Sequence, residues 1–300
     1  MTALSWRPQP EAESHTKEEM LAETMVTSQF LWPEGRRVAL TSDWDDGTSH
    51  DRRLVALLNR SGLKGSFNLC SGKLGLDSRQ SGWKDFVCAD EVAALYQGHE
   101  VCSHSVHHPR PWSLPVDQFC WEMLEDRRRL EALVGYPVRG FVLPFGWKTG
   151  FDSCRELARS CGFRYLRHTE STPQFDLPGD WFSWKPTCHC GEDLSRHWAI
   201  MLERSTDQPG QLFYVWGHSY ELEDGLGWEA IEAFAALAAG TPGVWYATKG
   251  EVYDYVSAWR RLDWSLDGTL VRNPSAAAVW FLRAWSTVRI EGGRSLRLDG

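Results

Sequence analysis

From Arg37 to Arg260 the chain alternates short β-type runs with helix-type runs, and this alternation limits the fold more than any other feature. The readings are a strand at Arg37–Ser42, a helix at Arg52–Asn59 with Leu54, Leu57 and Leu58 on one face, and a strand at Ser66–Leu69. Further strands are expected at Glu100–His104, Val138–Leu143, Phe163–Leu166, Gln211–Trp216 and Val244–Ala247. Helices are expected between them, the longest at Val116–Val134, the last at Glu251–Arg260. Repeated strand-then-helix units, about seven here, imply parallel strands joined by right-handed crossovers. Polar, reactive residues recur at the strand ends, which favours a barrel-like closure with its site at the C-terminal rim. The predicted fold is therefore α/β, a distorted (β/α)7-type barrel. A 1–35 arm precedes it, the barrel occupies 36–262, and a small antiparallel β appendage fills 263–300, with turns at Asp267-Gly268 and Gly292-Gly293.

Composition narrows the function classes. Forty acidic residues against 32 Lys and Arg give a net charge of −8, a poor electrostatic match for nucleic acid or an anionic membrane. No run reaches the roughly 20 apolar residues of a membrane helix. The segment Met1–Met20 is polar, without the pattern of a secretory signal, so a cytoplasmic location is expected. Eight scattered cysteines read as reduced thiols. Cys188-His189-Cys190 has no second pair at knuckle spacing, so a structural zinc knuckle is not expected there, and its role stays open. Seventeen tryptophans exceed 13 phenylalanines. Trp44, Trp147, Trp181 and Trp216 lie beside the chemistry-bearing motifs and are candidates for lining a substrate site. Trp245, Trp259, Trp264, Trp280 and Trp285 read as core or seam packing.

Three strand ends carry chemistry. Asp45 and Asp46 adjoin within Asp43-Trp44-Asp45-Asp46-Gly47, and paired carboxylates beside a cation can split into ligand and base. His104 and His108 stand four apart in His104-Ser105-Val106-His107-His108, while His107 points elsewhere. One carboxylate, two imidazoles and open positions for water form a hydrolytic zinc-type set, which also suits cobalt, nickel or manganese. His218, in Trp216-Gly217-His218-Ser219, is placed to protonate a leaving amine.

Together these segments resemble the polysaccharide deacetylases of carbohydrate esterase family four, which include the nodulation-type chitooligosaccharide deacetylases. That family's Thr-Phe-Asp-Asp-Gly stands here as Asp43-Trp44-Asp45-Asp46-Gly47, and its His-Ser/Thr-x-x-His as His104–His108. Gly98-His99-Glu100-Val101 is similar to the lead-in and Pro109 to the follow-on. Val142-Leu143-Pro144-Phe145-Gly146 matches part of Arg-x-Pro-Tyr/Phe-Gly, with Val142 in place of the arginine; Arg139 or Lys148 are the nearest basic candidates to replace it. The resemblance spans Arg37 to Arg261, and Trp245-Tyr246-Ala247-Thr248 through Asn273-Pro274-Ser275 is similar to an intracellular bacterial branch.

The resemblance implies a metal held by Asp46, His104 and His108, Asp45 as general base and His218 as general acid. It implies the Phe145 backbone N–H as oxyanion donor, with Pro144, Trp181 and Trp216 around the substrate; Asp180-Trp181 stands for the family's Asp-Trp pair. The implied reaction removes an acyl group, first of all acetyl, from an N-acetylated sugar or related amide. The partner is a small molecule or oligosaccharide, with no nucleic acid or membrane. The alternatives are hydrolysis of a small non-sugar amide or ureide, in the manner of allantoinase, and a non-catalytic sugar-binding homologue.

Overall fold

A computed structural model of the chain describes residues 28–146 and 152–298. The central strand is long and buried on both faces, as the strand of a sheet covered by helices must be. Along the chain the strands are β1 (Gln29–Leu31), β2 (Val38–Asp46), β3 (Ser66–Leu69), β4 (Glu100–Ser103), β5 (Gly140–Val142), β6 (Tyr165–Arg167), β7 (Cys188–His189), β8 (Gln211–His218) and β9 (Val244–Tyr246). The longer helices are α1 (Asp51–Arg60), α2 (Val116–Val134), α3 (Asp152–Ser160), α4 (Leu194–Ser205), α5 (Trp228–Ala238) and α6 (Lys249–Arg260). Strands β2 to β9 form one parallel sheet in the order β6-β5-β4-β3-β2-β8-β7, with β9 on β2. The sheet curls into a half-barrel surrounded by helices, as the alternation of strand and helix signals predicts.

Nine residues of β2 are buried without a break, and three strands pair with it. β8 runs along Val38–Asp45, while β3 takes Asp43–Asp46 and β9 takes Val38–Leu40. β3 and β9 thus diverge from opposite ends of β2, and the start of α6 enters between them: Lys249 N–H donates to Ser66 Oγ at 3.0 Å. Leu54, Leu57 and Leu58 of α1 pack into the main core with Val38, Leu40 and Phe67. α2 begins after Pro115 and stops at Gly135 (φ +76°), whose N–H caps the Glu131 carbonyl, a left-handed position that favours glycine.

The C-terminal strands are β10 (Asp263–Trp264), β11 (Leu270–Arg272), β12 (Val279–Arg283), β13 (Ser286–Ile290) and β14 (Ser295–Arg297). They form two antiparallel sheets, β1-β12-β13 and β10-β11-β14, so β1, ahead of the barrel, is stitched to β12. Asp267-Gly268 lies in the β10–β11 turn, as expected. Gly292-Gly293 is not a hairpin turn, because β13 and β14 belong to different sheets. The tight hairpin is at Ala284-Trp285, both at positive φ, and Trp285 stands 94% exposed there, contrary to its reading as a packing residue. The short strands β1, β7 and β10 had no hydrophobic run long enough to announce them.

Candidate active site

Three strand ends meet in a cavity of about 470 Å³ lined by Asp45, Asp46, His104, His108, Phe145, Trp216 and His218 among others. Parallel register explains the meeting: Asp45 lies opposite His218 across β2 and β8, and Asp46 opposite Leu69, just before the chain of β4 delivers His104. The two carboxylates converge because the backbone bends at Asp46 (φ +79°) and Gly47 (φ +71°). Among the described residues seven non-glycine side chains sit at positive φ, and four of them, Asp46, Ser105, His108 and Phe145, are in or beside this cavity. Such backbone conformations cost about 1–3 kcal/mol each and persist where surrounding structure enforces them.

Asp46, His104 and His108 point their donor atoms at one another. Asp46 Oδ1 lies 3.7 Å from His104 Nε2 and 3.4 Å from His108 Nε2. That oxygen is buried with no hydrogen-bond partner, an arrangement a cation would satisfy. The Nδ1 of His104 is 2.8 Å from the Val142 carbonyl, so Nδ1 carries the proton and the Nε2 lone pair faces Asp46. Burial lowers the pKa of His104 against the pull of Asp45 and Asp46, and burial with His104 and Lys73 lowers that of His108 to about 2. Both rings are therefore neutral, the form that ligates metal. The set fits a divalent cation.

Asp45 is held from below. Its Oδ1 accepts from Asn68 Nδ2 at 2.8 Å, and its Oδ2 pairs with Arg167 at the end of β6. Arg167 Nε also lies 2.9 Å from Asp43 Oδ2, and Lys249 Nζ lies 2.7 Å from Asp43 Oδ1. Asp43 further accepts from Asn68 at 2.6 Å and Tyr214 Oη at 2.9 Å. Two carboxylates and two cations thus form a neutral, buried group. Burial alone would raise the Asp45 pKa, but Arg167, His104, His218 and Lys249 outweigh it and hold the carboxyl below the usual range. Arg167 is thus the basic residue that pairs with Asp45, while position 142 is an apolar valine. Arg139 instead pairs with Asp254 at 2.7 and 2.9 Å, and Lys148 lies outside the described residues. A charged residue ending the apolar run Tyr165-Leu166 was the one available signal for Arg167.

His218 Nε2 lies 3.7 Å from Asp45 Oδ2 and 4.0 Å from Asp46 Oδ2, while Nδ1 lies 3.0 Å from Glu221 Oε2. Burial disfavours its charge, but Glu221, Asp45 and Asp46 prevail and raise its pKa. Phe145 follows Pro144 in a tight turn, and its ring, on the cavity lip, is 4.7 Å from that of His108. Trp216 lines the cavity under the Arg167 guanidinium, 4.3 Å from its ring centre. Trp83, Tyr220 and Lys73 line it as well and were not anticipated.

Other expected residues lie elsewhere. Pro144 supports the turn and is not on the cavity wall. Trp181 packs against Trp184 and Tyr253 at 4.9 and 5.0 Å, away from the cavity. Asp180 caps the turn at Phe182 N–H and pairs with Arg155 and Arg159, so Asp180-Trp181 is a packing element. Trp44 is buried, its indole N–H on Ser42; Trp147 lies outside the described residues. His107 turns out to Glu122, as expected.

A parallel half-barrel thus bears an Asp-His-His donor set at its C-terminal rim, the donor chemistry of a hydrolytic metal site. Residues 33–166, somewhat under half of the chain, match the family model for polysaccharide deacetylase. The fold is similar to a structure from Pseudomonas aeruginosa PAO1 described as a polysaccharide deacetylase, at 17% identity and TM-score 0.56 over 74% of this chain and 91% of that one. It is similar to one from Mycobacterium smegmatis of the same description, at 16% identity and TM-score 0.54 over 78% and 95%. An allantoinase structure is similar to the same degree, at 15% identity and TM-score 0.55 over 74% and 91%. Comparison with curated protein sequences gives no match. Among the described residues no helix is long and apolar enough to cross a membrane.

Proposed function

We propose that the protein removes an acetyl group from an N-acetylated sugar or related amide, with Asp46, His104 and His108 holding a divalent metal, zinc by donor chemistry. The observation that carries this reading is the partnerless Asp46 Oδ1 between two neutral imidazoles, with Asp45 and His218 on either side. When bound, such a cation acidifies water and polarises a carbonyl oxygen. Asp45 accepts the water proton; Arg167 and Asn68 keep it ionised and fix its direction. The Phe145 backbone N–H is the donor to the developing oxyanion. His218, its pKa raised beside Glu221, gives its Nε2 proton to the departing nitrogen, releasing acetate and a free amine. Trp216 and the exposed Phe145 ring offer apolar faces to the substrate.

The test is acetate release from N-acetylglucosamine oligomers, acetylated xylan, small N-acyl amines and cyclic ureides, using metal-loaded protein. Release from the sugar oligomers is the expected result. Turnover confined to small amides or ureides transfers the assignment to that substrate class. Binding of oligomers with no turnover of any member refutes the catalytic reading.

A further inference from the structure

The Cys188-His189-Cys190 run acquires a partner that lies far from it in sequence. β7 pairs with β8 in the register His189↔Trp216, and Cys190 N–H donates to the Trp216 carbonyl at 2.7 Å. Cys190 therefore sits opposite Gly217. A Cβ on Gly217 would come within 2.3 Å of Cys190 Sγ, so the glycine makes the space the thiol occupies. Cys188 and Cys190 are both buried in the main core, but only Cys190 is among the converging donors. The third member, Glu221, arrives one turn after His218.

Three donors of different softness converge there: His189 Nε2, Cys190 Sγ and Glu221 Oε2 all lie within 4.8 Å of one another. Nε2 is 3.0 Å from Oε2, Sγ is 3.9 Å from Oε2, and Sγ is 4.0 Å from Nε2. With bonds of about 2.0–2.3 Å to a tetrahedral ion, adjacent donors stand about 3.3–3.6 Å apart, so each edge needs only a few tenths of an ångström of adjustment. His189 and Glu221 are partly exposed, which gives an ion access.

We propose that His189, Cys190 and Glu221 form a second metal site, selective for a thiophilic divalent cation such as zinc, whose occupation inhibits the enzyme. A thiolate–imidazole–carboxylate set favours zinc over magnesium or calcium. Without the ion, Gly191 N–H donates to His189 Nδ1 at 3.2 Å, which leaves the ring proton on Nε2 facing Glu221. Binding displaces that proton from Nε2 and expels the thiol proton to solvent. It also takes up Glu221 Oε2, the oxygen 3.0 Å from His218 Nδ1. The inhibition rests on His218 being the general acid; the binding does not.

The experiment loads the full chain with excess Co²⁺ or Zn²⁺, removes free metal, and counts bound ions. The catalytic triad has no sulfur ligand, so a sulfur-to-cobalt charge-transfer band reports the second site alone. Two ions per chain and that band are expected for the wild type. Cys190→Ser should abolish the band and His189→Gln should weaken second-ion binding, by at least the about 10- to 100-fold that even an outer partner is worth. Excess zinc should inhibit wild-type acetate release far more than that of either variant. One ion per chain at saturation without the band, or a band that survives Cys190→Ser, overturns the site. A band with no zinc inhibition leaves the site standing and overturns the inhibitory role.

Discussion

Replacing Arg167 with methionine removes one charge from a buried group that is otherwise neutral. Asp43, Asp45, Arg167 and Lys249 are all buried, and Arg167 touches both carboxylates. Its loss leaves two carboxylates facing one ammonium. Breaking a buried pair in this way costs about 3–5 kcal/mol, because the remaining charge stays desolvated and uncompensated. The Asp45 carboxyl, now held low chiefly by Arg167 against its burial, should rise in pKa, so the acidic limb of the pH–rate profile moves to higher pH. Urea denaturation at neutral pH gives the stability change as a fall in midpoint at constant slope. The decisive comparison is Arg167→Met in an Asp45→Asn background, where one of the two carboxylates is already neutral. The cost of removing Arg167 should shrink there by about 1–3 kcal/mol, the coupling of a contacting pair. Arg167→Lys retains charge without the two-carboxylate fork and should fall between wild type and methionine in both readouts. Equal costs in the two backgrounds with an unmoved acidic limb would refute the electrostatic argument, and the residue would then act through its stacking on Trp216.

Asp45→Asn should keep the catalytic metal while turnover falls about 10²- to 10⁴-fold, measured by metal content and acetate release. Chelation should abolish turnover and zinc should restore it, with the folded state retained by circular dichroism. Glu221→Gln removes a charge that raises the His218 pKa, so the alkaline limb of the pH–rate profile should move to lower pH. Asp51, buried against Ser219 and Tyr96, has its pKa pushed by burial from 3.8 to about 7. The folded state therefore holds this proton more tightly than the unfolded chain. That advantage is complete below the unfolded value and is lost as pH rises through about 7, about 4 kcal/mol over roughly three units. In Asp51→Asn the difference in urea midpoint between about pH 5 and about pH 8 should shrink accordingly.

What could be read in advance was local. Asp45-Asp46 and His104/His108 declare themselves because each group falls within five residues at the end of an apolar run. The barrel follows from the alternation of strand and helix signals, and α2 has the expected bounds. The remainder depends on which strands become neighbours. Arg167 and Asn68 are ordinary polar residues until β6 and β3 set them under Asp45, and Lys249 reaches Asp43 only because β3 and β9 diverge from β2. Glu221 joins Cys190 by the β7–β8 register. Trp181 misled for the opposite reason: a short dipeptide match carries no information about which way the chain turns afterwards.

The pairing of β1 with β12 has a consequence for the order in which the molecule is made. Synthesis delivers Phe30 and Trp32 early, yet their packing partners, Tyr255 and Trp259, and the strand that covers β1 come some 220 to 250 residues later. At about 5–20 residues per second the nascent chain carries this aromatic edge uncovered for tens of seconds. The parallel sheet can assemble during that interval. Strand β1, outside that sheet, is sealed only when the final hairpin has left the ribosome, so a ribosome stalled before Val279 should hold a chain with its barrel strands translated and its seam still open to chaperones.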